Sequence, residues 1–275
     1  MLELVIKNKM KEEIKIFFTA LMFYTRIPCP KNIDHSPEYI NKATRYFPLI
    51  GWIVGAISFT VFWLSSHLFD SNISVLFSLI AGVLVTGAFH EDGLADAFDG
   101  FGGGWTKEKI LDIMKDSRIG AYGVIALIFL FYLKLFGLTG VISKIENQNC
   151  LTIALIFISY HSLARLTAIN IVFTSEYSRD DENSKAKPIA KPIAKSHSYK
   201  EIVGVYFFGL LPLVALSFVD WRFSLVLIPL TALFLYSKYY FNKWLQGYTG
   251  DCLGAVEQVA ECVCLLTFLG IWKFI

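Results

Sequence analysis

The stretch from Gly87 to Gly104, GAFHEDGLADAFDGFGGG, places Glu91, Asp92, Asp96 and Asp99 within nine residues, directly after an apolar run without charge. On a helix Asp92, Asp96 and Asp99 stand at i, i+4 and i+7, which puts three carboxylates within about 60° of one another. Like charges at that spacing repel, and no basic residue follows until Lys107. The pattern reads as a site for a divalent cation, and oxygen-only donors favour Mg2+ or Mn2+ over zinc. The competing reading is a solvated acidic face that ends the apolar run. Gly100, Gly102, Gly103 and Gly104 would let a phosphate approach the backbone, or serve as a plain hinge.

Two further patches carry chemistry. In DIMKDSRIGAYG, Asp112 and Asp116 are four residues apart, with Lys115 and Arg118 alongside. Carboxylates for a metal beside cations for phosphate oxygens are what phosphoryl transfer requires, because charge must be stabilised on both reacting oxygens. The plainer reading is a set of salt bridges flanking a membrane. In GYTGDCLGAVEQVAE, Asp251 stands at the mouth of the last apolar segment, and Glu257 and Glu261 lie one helical turn apart inside it. Acids within a span cost roughly 2.5 to 3.5 kcal/mol on insertion scales, so they mark function or a buried partner. Arg165, four residues after His161 in another apolar segment, is the expected partner of Glu261. Lys134 is expected to snorkel toward the outer face. His90, beside the acidic face, suits either proton transfer or packing.

The elements that must position these residues are membrane helices. Of 275 residues, 55% are hydrophobic and 17% charged, with a mean hydropathy of +0.53; a soluble domain has roughly 25% charged residues. Six segments are apolar enough to span: 46–69, 73–89, 119–142, 150–174, 202–219 and 252–274, with 223–240 as a weaker seventh. Residues 14–24 are apolar but short, which predicts an interfacial or re-entrant helix. The expectation is an all-α, polytopic helical bundle of about seven transmembrane helices, forming a single domain over 1–275. With the N-terminus inside, loops on that side hold twenty basic residues and loops on the other side three. The positive-inside rule therefore puts all three patches on the cytoplasmic face. The net charge of +2 is spread over these flanking loops and gives no nucleic-acid signature. Five cysteines show no paired framework or zinc spacing. The segment KAKPIAKPIAK, 185–195, reads as a basic loop for anionic headgroups or an anionic substrate, or as a merely solvated loop.

The segments TGAFHEDGLADAFDG, DIMKDSRIGAYGVIAL and GYTGDCLGAVEQVAE, with LMFYTRIPCP and FPLIGWIVGA upstream, resemble the cobalamin synthase family in order and spacing over nearly the whole chain. The resemblance implies an integral enzyme of the inner membrane that joins adenosylcobinamide-GDP to α-ribazole or its 5′-phosphate and releases GMP with Mg2+. Carried over by motif, the site comprises Glu91, Asp92, Asp96 and Asp99, then Asp116, Ser117 and Arg118, then Thr249, Gly250, Asp251, Glu257 and Glu261. The loop EYSRDDENSKAKPIAKP keeps Tyr177 and Arg179 but lacks the family's glycines, so no substrate contact is assigned to it.

The expected mechanism places Mg2+ on Asp92, Asp96 and Asp99, joined by Asp116. Arg118 and Lys115 stabilise the leaving GMP, Arg165 contributes to binding, and Glu91 or Asp251 takes the hydroxyl proton. Membrane lipid surrounds the chain, and an oligomer stays open. Two alternatives stand beside this reading: a CDP-alcohol phosphatidyltransferase, which also uses Asp-rich helix ends, and a cation or proton transporter relaying through the intramembrane acids.

Overall fold

The computed structural model describes residues 2–31, 33–34, 36–145, 149–179 and 198–274; the basic loop 185–195 lies outside them. Among the described residues eleven α-helices follow in order: α1 Leu2–Tyr24, α2 Pro37–Ala43, α3 Phe47–Ser65, α4 Ser71–Thr86, α5 Phe89–Gly103, α6 Lys107–Lys115, α7 Ala121–Ile142, α8 Cys150–Thr174, α9 Tyr199–Ser217, α10 Leu227–Leu245 and α11 Gly250–Phe274. Short 3-10 turns at Thr44–Tyr46 and Trp221–Val226 lead into α3 and α10. Among the described residues six stretches are long and apolar enough to cross a membrane: Pro37–Ser65, Ala121–Ile142, Cys150–Thr174, Tyr199–Ser217, Trp221–Leu245 and Gly250–Trp272. The chain is a polytopic helical membrane protein, as its composition requires.

The expected span 73–89 is instead a bent pair. α4 stops at Thr86, and α5 leaves it at 89°. The cause is local: Gly87 and Ala88 both take left-handed backbone angles, φ +67° and +57°, which no helix continues through. The apolar limb and the acidic limb are thereby separated, with α5 running across the direction of α4. The N-terminal helix also differs from expectation. It begins at Leu2 rather than near residue 14, because the Lys- and Glu-bearing turns before the apolar run continue the helix.

α8 is the buried centre of the bundle. Its partner α3 approaches closely because Gly51 and Gly55 face it; a Cβ on either would lie 2.7 Å from the carbonyl oxygens of His161 and Phe157 respectively. Arg45 ties the N-terminal helix to the bundle, reaching Glu13 at 3.0 Å and Glu201 at 2.6 Å.

Candidate active site

α5 is held across the end of the bundle by two glycine contacts. A Cβ on Gly93 would lie 3.2 Å from the Asp251 Cα, and one on Gly254 would lie 2.9 Å from the His90 carbonyl oxygen. This approach brings the acids of α5 to the first turn of α11, where the Thr249 hydroxyl caps the helix by accepting from the Cys252 amide at 3.3 Å. Asp96 is half-buried there. The like charges of Asp251, Asp92 and Asp99 act on it, opposed by the guanidinium of Arg179. Arg179 Nη2 donates to Asp251 Oδ2 at 2.7 Å.

The expected common face of α5 is present, but its three acids have different surroundings. Asp92 is exposed, and Asp99 is buried. The two Asp99 oxygens accept from the backbone amides of Gly120 at 2.6 Å and Gly123 at 2.9 Å, in the opening turn of α7. Asp99 is thus the anion that caps α7, and a Cβ on Gly120 would fall 2.4 Å from Asp99 Oδ1 and displace the capping carboxylate. Asp116 is also engaged elsewhere. Its carboxylate accepts from Arg118 Nη2 at 2.6 Å and Nε at 3.0 Å, and from the Arg118 amide. That pairing lowers its pKa to about 2. Arg118 keeps 87% of its side-chain exposure, and Lys115 and Ser117 are exposed on the same turn. Of the residues expected to hold the metal, Asp99 here caps α7 and Asp116 here pairs with Arg118. Among the described residues no group of three or more His, Cys, Asp or Glu side chains is placed to hold a metal ion. Asp92 and Asp96 remain as an adjoining pair of hard oxygen donors, the number a Mg2+ site needs when substrate phosphates complete the shell.

Glu91, Arg165, Glu257 and Glu261 form a separate cluster inside the bundle. Arg165 Nη1 lies 2.9 Å from Glu257 Oε1 and 3.6 Å from Glu261 Oε1. His161 Nδ1 lies 2.5 Å from Glu261 Oε1, and Lys134 Nζ lies 2.6 Å from Glu261 Oε2. Lys134 also donates to the Gln258 side chain. The snorkelling expected of Lys134 is overturned: it is buried, because an acid one helix away supplies a counter-charge that the lipid interface would otherwise have to provide. Glu91 and His90 point into this interior too, and Glu91 Oε2 and both His90 nitrogens lack hydrogen-bond partners. A cavity of about 20 Å³ borders Glu91, His161 and Lys134, room for one water. Glu91 thus faces the buried Arg165, Glu257 and Glu261 while its neighbour Asp92 is exposed, and Arg165 joins both acids rather than Glu261 alone.

The residue that motif reading passed over is Arg179. No helical period marks it, and its loop looked unlike the family's. It reaches the site because residues 176–178 pair with the turn before α11: Tyr248 N donates to Glu176 O at 2.9 Å, and Ser178 N to Tyr248 O at 2.9 Å.

A family model described as Cobalamin-5-phosphate synthase matches residues 16–269. Curated relatives named adenosylcobinamide-GDP ribazoletransferase cover 94% of this chain and 95% of their own length. Those of Shewanella oneidensis and Shewanella baltica are 41% identical, and that of Shewanella putrefaciens 42%. No solved structure matches the chain.

Proposed function

The chain belongs to the cobalamin-5-phosphate synthase family, and on that premise we propose how its residues carry out the reaction. It is a membrane transferase of cobalamin biosynthesis that joins adenosylcobinamide-GDP to ribazole. The new P–O bond forms from the ribazole 3′-hydroxyl oxygen to the phosphorus nearer the corrinoid. The bond from that phosphorus to the bridging oxygen breaks, and GMP leaves with that oxygen.

The observation that carries the assignment of the site is the crowding of Asp92, Asp96 and Asp251 against a single guanidinium, Arg179. With Asp99 also acting on Asp96, four carboxylates face one guanidinium, an excess of negative charge that a divalent cation would relieve. Asp92 and Asp96 would hold Mg2+, or Mn2+ in its place. Bound there, the ion would neutralise charge on the diphosphate oxygens. Asp251 accepts the hydroxyl proton on its carboxylate. The carboxylate of Asp99 keeps the start of α7 against α5, and the Asp116–Arg118 turn stands at the rim with Lys115 and Ser117 for the outgoing nucleotide. Ribazole and its 5′-phosphate are both accommodated by this scheme, since the reacting hydroxyl is the same. The excess of basic residues on the loops beside the site orients it to the cytoplasm across an inner membrane.

The test uses purified protein in detergent with Mg2+, adenosylcobinamide-GDP and α-ribazole, followed by detection of GMP. Wild-type protein releases GMP only when all three are present. Asp96→Asn inserts and purifies as wild type but releases none; retained turnover with an unchanged Mg2+ requirement removes Asp96 from the site.

A further inference from the structure

The site needs a cation for the diphosphate, and Arg118, Arg165 and Lys134 are each paired with an acid other than Asp92, Asp96 or Asp251. Arg118 is committed to Asp116 through three guanidinium hydrogen bonds and one from its backbone amide, on an exposed turn. Arg165 and Lys134 are consumed by Glu257 and Glu261 inside the bundle. Arg179 is different in three respects. Its guanidinium sits among the acids, 2.7 Å from Asp251, with 15% of its side chain exposed. Its Nε is buried without a hydrogen-bond partner. Its backbone is fixed by the pairing of Tyr177 with Tyr248 and by the Ser178 hydroxyl, which donates to the Leu245 carbonyl at 2.7 Å.

That fixation is unusual in its cost. Gly247 takes φ +155°, a conformation for which only glycine is suited, and a Cβ there would lie 2.2 Å from the Glu176 carbonyl oxygen. A loop held this closely to the turn before α11 delivers its next side chain, Arg179, to one place. A guanidinium carries five donors in a planar fork suited to phosphate oxygens, and a buried donor left without a partner favours a ligand that supplies one.

We propose that Arg179 is the diphosphate-binding cation of this site, parked on Asp251 in the substrate-free protein and transferred to the diphosphate when adenosylcobinamide-GDP enters. The transfer exchanges one charge-assisted pair for another and frees the Asp251 carboxylate for the hydroxyl proton. This deepens the functional reading above and rests on it for the identity of the substrate. The binding chemistry itself, a diphosphate on a fixed guanidinium, is testable without turnover.

The probe is inorganic pyrophosphate with Mg2+, its binding measured calorimetrically on the intact protein in detergent, beside steady-state kinetics. Arg179→Ala weakens pyrophosphate tenfold or more and raises KM for adenosylcobinamide-GDP by a similar factor, while KM for ribazole stays within twofold. Arg179→Lys, which keeps the charge and loses the fork, recovers part of both. Asp251→Asn, which releases the guanidinium, binds pyrophosphate several-fold more tightly than wild type although its turnover falls. The proposal is overturned if Arg179→Ala binds pyrophosphate as wild type does, or if Arg179→Ala and Asp251→Asn weaken it alike, since the pair would then serve only to hold the loop. If wild type binds pyrophosphate through Arg179 but releases no GMP from the two substrates, the functional reading fails and the binding assignment stands.

Discussion

Gly93 on α5 and Gly254 on α11 meet backbone to backbone: a Cβ on Gly93 would lie 3.3 Å from the Gly254 Cα, and one on Gly254 3.2 Å from the Gly93 Cα. This contact sets the distance between the acids of α5 and Asp251. Gly254→Ala places a methyl group 2.9 Å from the His90 carbonyl oxygen, a backbone atom, so the two helices must part. Turnover falls tenfold or more, about 1.4 kcal/mol of barrier, and the overpacked contact lowers stability by about 1 to 3 kcal/mol. The check is kcat alongside a detergent melting curve; unchanged kcat shows that the spacing is not needed.

Asp99 and Asp96 separate on substitution. Asp99→Ala removes the acceptor for two amides of α7 and costs about 0.5 to 2 kcal/mol of stability, as lost helix caps do. The Mg2+ concentration for half-maximal activity stays where it was. Asp96→Asn loses turnover with stability intact. A Mg2+ titration of both variants distinguishes cap from ligand, and a shifted Mg2+ requirement in Asp99→Ala returns Asp99 to the metal site.

Removing Lys134 from its buried pair with Glu261 leaves that carboxylate to His161 and Arg165 alone, the latter shared with Glu257. Lys134→Met lowers stability by about 3 to 5 kcal/mol, and Lys134→Met with Glu261→Gln restores more than half of it. The measurement is a denaturation series in one detergent. Equal loss in the single and double variants contradicts the coupling.

The pH profile offers a check on the turn at Asp116. Arg118 holds its pKa near 2, below the ordinary 3.8, so the carboxylate stays ionised as pH falls and its contribution is lost only on approach to about 2. The acid limb of activity above about pH 4 therefore has the same midpoint in Asp116→Asn as in wild type, whatever the change in height. A displaced midpoint shows that Asp116 titrates in the working enzyme.

The sequence disclosed the helices well where apolar length alone defines them: residues 150–174 form one helix with those same bounds. It misplaced the end of the span that begins near residue 73, because two left-handed residues, one of them alanine, turn the chain without any Pro or polar run to announce them. The α5 acids were legible through their spacing, and so was the placement of Asp251 at the mouth of the last helix. Their division of labour was not, since an i, i+4, i+7 pattern says nothing of which carboxylate meets a neighbouring helix end. Lys134 and Arg179 escaped for one reason. Each is assigned by a partner 72 or more residues away, and such pairings exist only once helices and loops are packed.

The charged cluster around Glu257 and Glu261 bears on biogenesis. Its counter-ions, Lys134 and Arg165, sit on helices made well before α11, so the last helix enters the bilayer to find its neutralising groups already installed. Insertion of a helix with two acids in it thereby becomes an assembly step rather than a partition from water into lipid. A chain halted before residue 250 leaves Lys134 and Arg165 without the two acids that neutralise them.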